Sequence, residues 1–567
     1  MRRRLKMKRY VAFLLALVLT VGLLSGCRHE EKPSTAPEQG SSVSASADAV
    51  TEPDFSLDGK LNISWMMATQ NMLSCSETPV MKYLQEKFNV SLDMTELVPA
   101  DHDVQLELNI SSNKVKNIVT RISIGLANEY GSYGAFVDFR PYIEAGYMPN
   151  VKAMIDKALS ENPNNKSLLY DEQGHLYRIP GYNENPMPIY NFSYNAEAFA
   201  KAGYENPKTW NDVYNALKTI KAGRETFYPY KMRTLGNDQL GLQLTNFIIS
   251  FTGGYANGQE FIGYDPESDS FLFAMDTKGY KEAIRFFNKM YSEGLIDPGF
   301  TTATVGNVHT AMKNGECVFT SDYMGGFTGV TGYEEYTGAF VPLSLPQADG
   351  QELTHGFRIA QFDVAAGTSV NAEVEKDPVL LGRILQILDY MYSGEFIRLQ
   401  WYHPDICEGK YPAGNSDITT YEYEKDSNGN IIYKSEIYKA SSVSDVQNQY
   451  FNWGIDSNFY NLNDPICNAA VHPYDSYYAF RDRLLTEQEM YVYVPLPLFT
   501  ANEYKKINAC ESNLQTMFNL QMGGLIIQQF NSDEVFDEKW NQAVKAIREQ
   551  GGDTLVNIYN TAYQRTK

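Results

Sequence analysis

LNISWMMATQNMLSCSETPVMKYLQEKFNVSLDM, residues 61–94, is the stretch that decides the fold class. Leu61, Ile63 and Trp65 alternate, and the chain then turns polar at Thr69-Gln70-Asn71, as a strand does when it runs into a loop. Thr78-Pro79 starts a helix, because proline in the first turn gives up only an N–H that has no partner inside the helix. Val80, Tyr83, Leu84 and Phe88 follow at helical spacing. Val90, Leu92 and Met94 alternate again. Strand, helix, strand is the grammar of an α/β lobe.

The same alternation continues outward. Asp171 to Pro180 reads as a hairpin around the Gly174 turn. Thr209 precedes Trp210-Asn211-Asp212 and a helix through Leu217, which makes it an N-cap. Tyr280, Ala283, Ile284, Phe287 and Tyr291 share one helical face, closed by Gly294 with Pro298 beyond. Cys317, Val318 and Phe319 form a short apolar strand opening onto Ser321-Asp322-Tyr323. Phe536, Trp540, Val544 and Ile547 mark a late amphipathic helix ended by Gly551-Gly552. There is no internal repeat.

The N-terminal end has a different character. Arg2, Arg3, Arg4, Lys6, Lys8 and Arg9 precede an uncharged run from Val11 to Leu24. That run is short of the about 20 apolar residues that a membrane span needs, and it suits the core of a signal peptide. It ends Leu24-Ser25-Gly26-Cys27, which resembles a bacterial lipobox. The resemblance implies cleavage before Cys27 and a lipid anchor on its thiol, at the outer face of the cell membrane. Two acyl chains on one residue give the paired hold that stable anchoring requires. Residues 1–26 are thus expected to be the signal peptide and 27–56 the lipidated cysteine with a disordered tether. The tether is poor in large apolar residues and spans about 30 Å as a flexible coil.

The 567 residues exceed one compact core and fit two lobes. A formal charge of -21 without a basic stripe speaks against nucleic acid as a partner. Forty tyrosines supply flat faces with a hydroxyl, which suit sugar rings and peptide groups. Cys75, Cys317, Cys407, Cys467 and Cys510 form no CxxC pair, and mostly free, buried thiols are expected.

With these segments in order, the chain resembles the family 1 extracellular solute-binding lipoproteins of bacterial ABC importers, nearest the large Gram-positive branch linked to oligosaccharide uptake. Tyr130-Gly-Ser-Tyr-Gly-Ala-Phe-Val-Asp-Phe-Arg-Pro-Tyr-Ile143 is similar to the family's "YgsqGlfldLtpyI" stretch. Met148-Pro-Asn-Val151, Gly174 to Pro180, Tyr194 to Phe199, Pro207 to Trp210, Leu295 to Pro298 and the ending Trp540 to Arg565 follow in the usual order. Lys116-Asn117-Ile118-Val119 departs from the usual Asp-Ile/Val pair. Trp401 to Gly409, with His403-Pro404-Asp405, departs from "yGiEG", which puts the substrate in question rather than the fold. The resemblance implies an α/β, two-lobe periplasmic-binding-protein-like (type II) fold with a hinged inter-lobe cleft. Lobe 1 is expected over 57–185 and 325–400, lobe 2 over 186–324 and 401–567. The implied partners are a small solute, an oligosaccharide or else a peptide or other polar metabolite, and the permease subunits of an ABC transporter, with the protein a monomer.

No reaction chemistry stands out. There is no P-loop, G-x-S-x-G or HExxH, and the histidines lie far apart, so no metal, cofactor or catalytic residue is assigned. Met324 to Gly329 is Gly-rich but reads as a loop. Asp426-Ser427-Asn428-Gly429-Asn430 lacks the spacing of a calcium loop and reads as a hairpin turn. A glycoside hydrolase would need two facing carboxylates, which nothing picks out among the acidic residues. An adhesive scaffold would show repeats. The expected ligand contacts are Trp65 and Gln70 at the first strand's end, Arg121 beside a ligand-facing strand end, and Asn246 opening an apolar helix of the second lobe. Asp322 and Tyr323 end the Phe319 strand, and Trp401 and Trp453 sit in polar, aromatic surroundings. Core packing competes for each tryptophan, and an ordinary cap or surface contact for Arg121 and Asn246. Trp210 and Trp540 are assigned to packing.

Overall fold

The computed structural model describes residues 51–68, 76, 78–97, 99–183, 190–233, 240–258, 260–323, 340–350, 362–396, 423–425, 431–433, 460–461 and 494–567. Cys27, Gln70, Cys75, the 324–329 loop, Trp401, Cys407, Trp453 and Cys467 lie outside them, as does the side chain of Tyr323.

The chain opens with β1 (Leu61–Ala68), α1 (Pro79–Lys87), β2 (Val90–Leu97), α2 (Pro99–Ser111), β3 (Ile118–Thr120), α3 (Ile124–Gly131), α4 (Pro149–Glu161) and β4 (Ile179–Asn183). It continues with β5 (Tyr190–Asn195), α5 (Trp210–Lys221), β6 (Tyr230–Met232), α6 (Leu240–Thr252), β7 (Ile262–Asp265), β8 (Ser270–Phe273), α7 (Tyr280–Ser292), α8 (Val305–Lys313), β9 (Phe319–Tyr323) and β10 (Phe340–Leu343). Then come β11 (Phe362–Val370), α9 (Pro378–Tyr390), β12 (Tyr423–Lys425), β13 (Ile431–Tyr433), β14 (Tyr460–Asn461), α10 (Ala501–Ile527), α11 (Asp533–Arg548) and α12 (Gly552–Thr566). Only helices of eight residues or more are labelled.

These strands build two main sheets. The first has the order β14-β4-β11-β3-β1-β2 and the second β10-β5-β9-β6. β1 runs parallel to both β2 and β3, as the strand–helix–strand reading requires. The period of two in β1 sends Ile63, Trp65 and Met67 into one core with Leu84, Ile155 and Leu385, and Met66 to the other face with Leu106, Val119 and Leu126. The second lobe is held by an aromatic cluster. Trp210 packs 4.4 Å from Phe247 and edge-on to Phe192, and Phe192 stacks on Phe319. Thr209 caps α5 in a capping box with Asp212.

Four boundaries differ from expectation. Asp171 does form a turn, with Gly174 at φ 86, but β4 finds its partner in β11 instead of in a local hairpin. Phe340–Leu343 pairs with β5, so this part of 325–400 belongs to the second sheet. Tyr460–Asn461 pairs with β4, so this part of 401–567 belongs to the first. In each case the partner is remote in sequence, and no local pattern announces it. The strands that flank 426–430, β12 and β13, pair antiparallel, while 426–430 lie outside the described residues.

The fourth boundary is the tether. Residues 51–56 were assigned to it, yet they dock on α9. Asp54 N donates to Pro378 O, and Gln386 Nε2 donates to Phe55 O. Arg383 is fully buried and gives its guanidinium to the carbonyls of Ser56, Phe88 and Asn89. Gly382 makes the approach possible, since a Cβ there would lie 2.1 Å from Asp54 O. A buried arginine is tolerated here because these peptide oxygens replace its water.

Candidate ligand-binding site between the sheets

The chain changes sheets between Asn183 and Tyr190 and again between Leu343 and Phe362. β4 and β11 therefore lead from one lobe to the other. In open α/β sheets a ligand sits beyond the carboxyl ends of the parallel strands. Those ends are the place to look in both lobes.

On the first lobe the end of β3 is tightly built. Thr120 Oγ1 accepts the indole N–H of Trp65 at 2.7 Å. Arg121 follows with φ 66, a left-handed backbone rarely held by a residue with a side chain. Ile122 N donates to Gly367 O, and the buried Arg178 donates to Ile122 O at 3.3 Å. Ser123 then caps α3 through Leu126 N.

On the second lobe Asp322 is 1% exposed and ends β9. Arg233, just past β6, grips it, with Nε 2.8 Å from both carboxylate oxygens and Nη2 2.7 Å from Oδ1. Gln243 holds the Arg233 carbonyl. His309 of α8 lies beside this pair, and burial pushes its pKa down, with Asp322 opposing and Arg233 reinforcing.

Between the lobes the described residues enclose a cavity of about 540 Å³. Ser123, Ile124 and Gly125 at the start of α3 form one side. Glu260, Phe261 and one face of α10, including Tyr504, Asn508, Glu511 and Gln515, form the other. Gly125 lets the two helices meet, because a Cβ there would be 3.1 Å from the Tyr504 ring and 3.5 Å from Asn508 Nδ2. Lys505 reaches across to Glu129 at 3.6 Å. Burial, reinforced by Glu260, pushes the Glu511 carboxyl up to about 7.

The expected site residues fare differently. Asp322 lies near the end of β9 and Arg121 directly follows β3, and neither lines the cavity described above. Trp65 is 0% exposed and belongs to the first-lobe core, a correction that follows from the pleat, which turns it inward with Ile63 and Met67. Asn246 does not open its helix. It sits in the middle of α6, 3% exposed, because the helix begins at Leu240. Tyr323 lies in β9, with its backbone opposite Tyr190. Trp210 and Trp540 are packing residues, as expected. Cys317 and Cys510 are free thiols, and burial pushes Cys317 up to about 12. Sequence reasoning missed Arg233, Glu260 and Glu511. Arg233 finds Asp322 89 residues away, and no local spacing reports such a pair. Among the described residues no group of three or more His, Cys, Asp or Glu side chains is placed to hold a metal ion.

Comparison with known proteins agrees with this geometry. The chain is 24% identical over 278 residues to the fructooligosaccharide ABC transporter substrate-binding protein FusA of Streptococcus pneumoniae, a match that spans 44% of this chain and 49% of FusA. It is 20% identical to lipoprotein LipO of Bacillus subtilis, over 98% of both chains. The fold superimposes on the crystal structure of the alginate-binding protein AlgQ2 without calcium ion, with a TM-score of 0.67 at 17% identity, covering 91% of this chain and all of that one. Residues 118–393, which run from β3 through the second sheet and back to α9, match the family profile "bacterial extracellular solute-binding protein". With two sheets, a shared inter-lobe space and this match running across both, the chain resembles the bacterial extracellular solute-binding proteins over residues 118–393 and shares their fold.

Proposed function

We propose that this protein captures an oligosaccharide between its lobes and delivers it to the permease of an ABC importer, while lipid on Cys27 holds it at the outer face of the cell membrane. The observation that carries the reading is the inter-lobe cavity. Hydroxyl and amide side chains (Ser123, Asn508, Gln515) alternate there with the rings of Phe261, Phe499 and Tyr559. Rings cover the apolar face of a sugar while neutral polar groups meet its hydroxyls. The crossing strands β4 and β11 supply a hinge about which the lobes close on the solute. FusA is named for a fructooligosaccharide and AlgQ2 for alginate, and both names favour a glycan over a peptide.

A thermal-shift screen of glycans and peptides against the body from residue 51 onward tests the solute. A glycan at a hundred times its Kd stabilises the fold by about 2.7 kcal/mol, a clear rise in melting temperature. Stabilisation by peptides alone would replace the oligosaccharide, and steady product formation would replace the binder with a hydrolase. The anchor is tested separately. Cys27→Ala is expected to abolish lipid labelling and release the protein into the medium. Labelling at the wild-type level in that variant would remove Cys27 from the scheme.

A further inference from the structure

We propose that the second lobe holds a neutral saccharide in a site of its own, outside the inter-lobe space. A cavity of about 740 Å³ opens there, at the start of α5, along α7 and beside the turn from α10 to α11. It shares no lining residue with the inter-lobe cavity. Trp210, Phe251 and Phe536 on its wall belong to the second-lobe core, and Phe286 and Phe530 pack against that core. Its shape therefore does not depend on hinge closure. Its volume lies within the roughly 300–1,000 Å³ of small-molecule sites.

Two buried donors on this wall lack an acceptor. Trp210 is 1% exposed and its ring is packed, yet its indole N–H has no hydrogen-bond partner among the described residues. Arg285 gives its Nη groups to Glu282 and Asp537, and its buried Nε–H has no partner either. A buried polar group without a partner is rare in a folded chain and destabilises it. Two on the wall of one cavity point to oxygen acceptors that arrive with a ligand. The wall offers an acceptor as well. Asn288 is 7% exposed, and its Nδ2 lies 2.7–2.9 Å from the carbonyls of Leu525, Ile526 and Gln528. These bonds fix the amide and leave its own oxygen to accept.

Much of the charge around the cavity is already matched. Arg285 pairs with Glu282, Lys218 reaches Glu293 at 3.2 Å, and Asp349 accepts from Asn211. An ionic ligand gains little from such a rim. A hydroxyl both donates and accepts, so a sugar ring serves Trp210, Arg285 and Asn288 with groups of one kind. Its C–H face then lies on Phe286 and Phe530, which are only partly buried.

The test is nuclear magnetic resonance on protein labelled at the tryptophan indole nitrogens. The chain has five tryptophans, and Trp210→Phe identifies the signal of Trp210. Kestose, raffinose, maltotriose and cellotriose are each titrated to about 10 mM, which nearly saturates a site with a Kd of about 1 mM. At least one of them is expected to move the Trp210 N–H signal downfield, as a hydrogen bond forms, along a saturable curve. Phe530→Ala removes one sugar-facing ring and should weaken that response about tenfold. Asn508→Phe crowds the inter-lobe cavity and should leave the response unchanged. The remaining indole signals report that each variant is folded. A Trp210 signal that none of the four sugars moves, or a response that survives Phe530→Ala at full strength, overturns the inference. So does a response lost in Asn508→Phe, which would mean that Trp210 senses lobe closure. Movement by the peptide Gly-Phe-Gly and by no sugar would give the cavity to a peptide instead. The melting-temperature screen decides the inter-lobe role separately, because Asn508→Phe should remove stabilisation by a solute held between the lobes while Phe530→Ala leaves it.

Discussion

Trp65→Ala is expected to lower folding stability by about 3–5 kcal/mol, the usual cost of deleting a buried large aromatic. The ring is 0% exposed, stands between Ile63 and Met67 in the first-lobe core, and faces Met94 and Ile118 on the neighbouring strands. Its N–H is satisfied by Thr120, so the truncation also removes a buried hydrogen bond next to the left-handed Arg121. Trp65→Phe keeps most of the volume and loses the donor, and it should fall between the two. Thermal and urea unfolding measure both. A Trp65→Ala protein that melts like the wild type but has lost its solute would return the ring to the ligand wall.

Arg233→Ala should be comparably damaging, at about 3–5 kcal/mol, because it leaves the Asp322 carboxylate inside the protein without its guanidinium. The penalty comes from the orphaned charge, and this separates it from a simple loss of contact. Replacing both partners with apolar residues of similar size, Arg233→Met with Asp322→Leu, should recover most of the loss. A double-mutant cycle on melting curves reads the coupling directly. If Arg233→Ala and the double replacement destabilise equally, the pair carries no special weight. The arrangement also changes what Asp322 can offer a sugar. Both its oxygens are occupied by Arg233, so Asp322→Asn is expected to act on the strand end first and on affinity only through it.

Much of the architecture was legible because it rests on short-range chemistry. Pro79, the Thr209 cap with Asp212, and the Gly294 stop act within one turn of helix, and each falls where the pattern placed it. Two kinds of information were not local. One is which distant strand completes an edge, as when β10 joins β5 and β14 joins β4. The other is which side of a strand end faces the core. Trp65 illustrates the second. A tryptophan at the end of an alternating strand suits a ligand wall or a core equally, and only the helices packed over β1 decide between them. The carboxylates of the cavity were hidden for a related reason. Among 69 acidic residues, Glu260 and Glu511 differ from the rest only in what the fold places around them.

The docking of residues 54–56 on α9 has a mechanical consequence. Any tension arriving from the preceding residues passes through the Asp54–Pro378 and Arg383 hydrogen bonds into α9 and the first-lobe core. β4 and β11 share that core through Ile179, Tyr182, Phe362 and Val370, so a load entering at residue 54 is spread over the whole first lobe before it reaches either crossing strand.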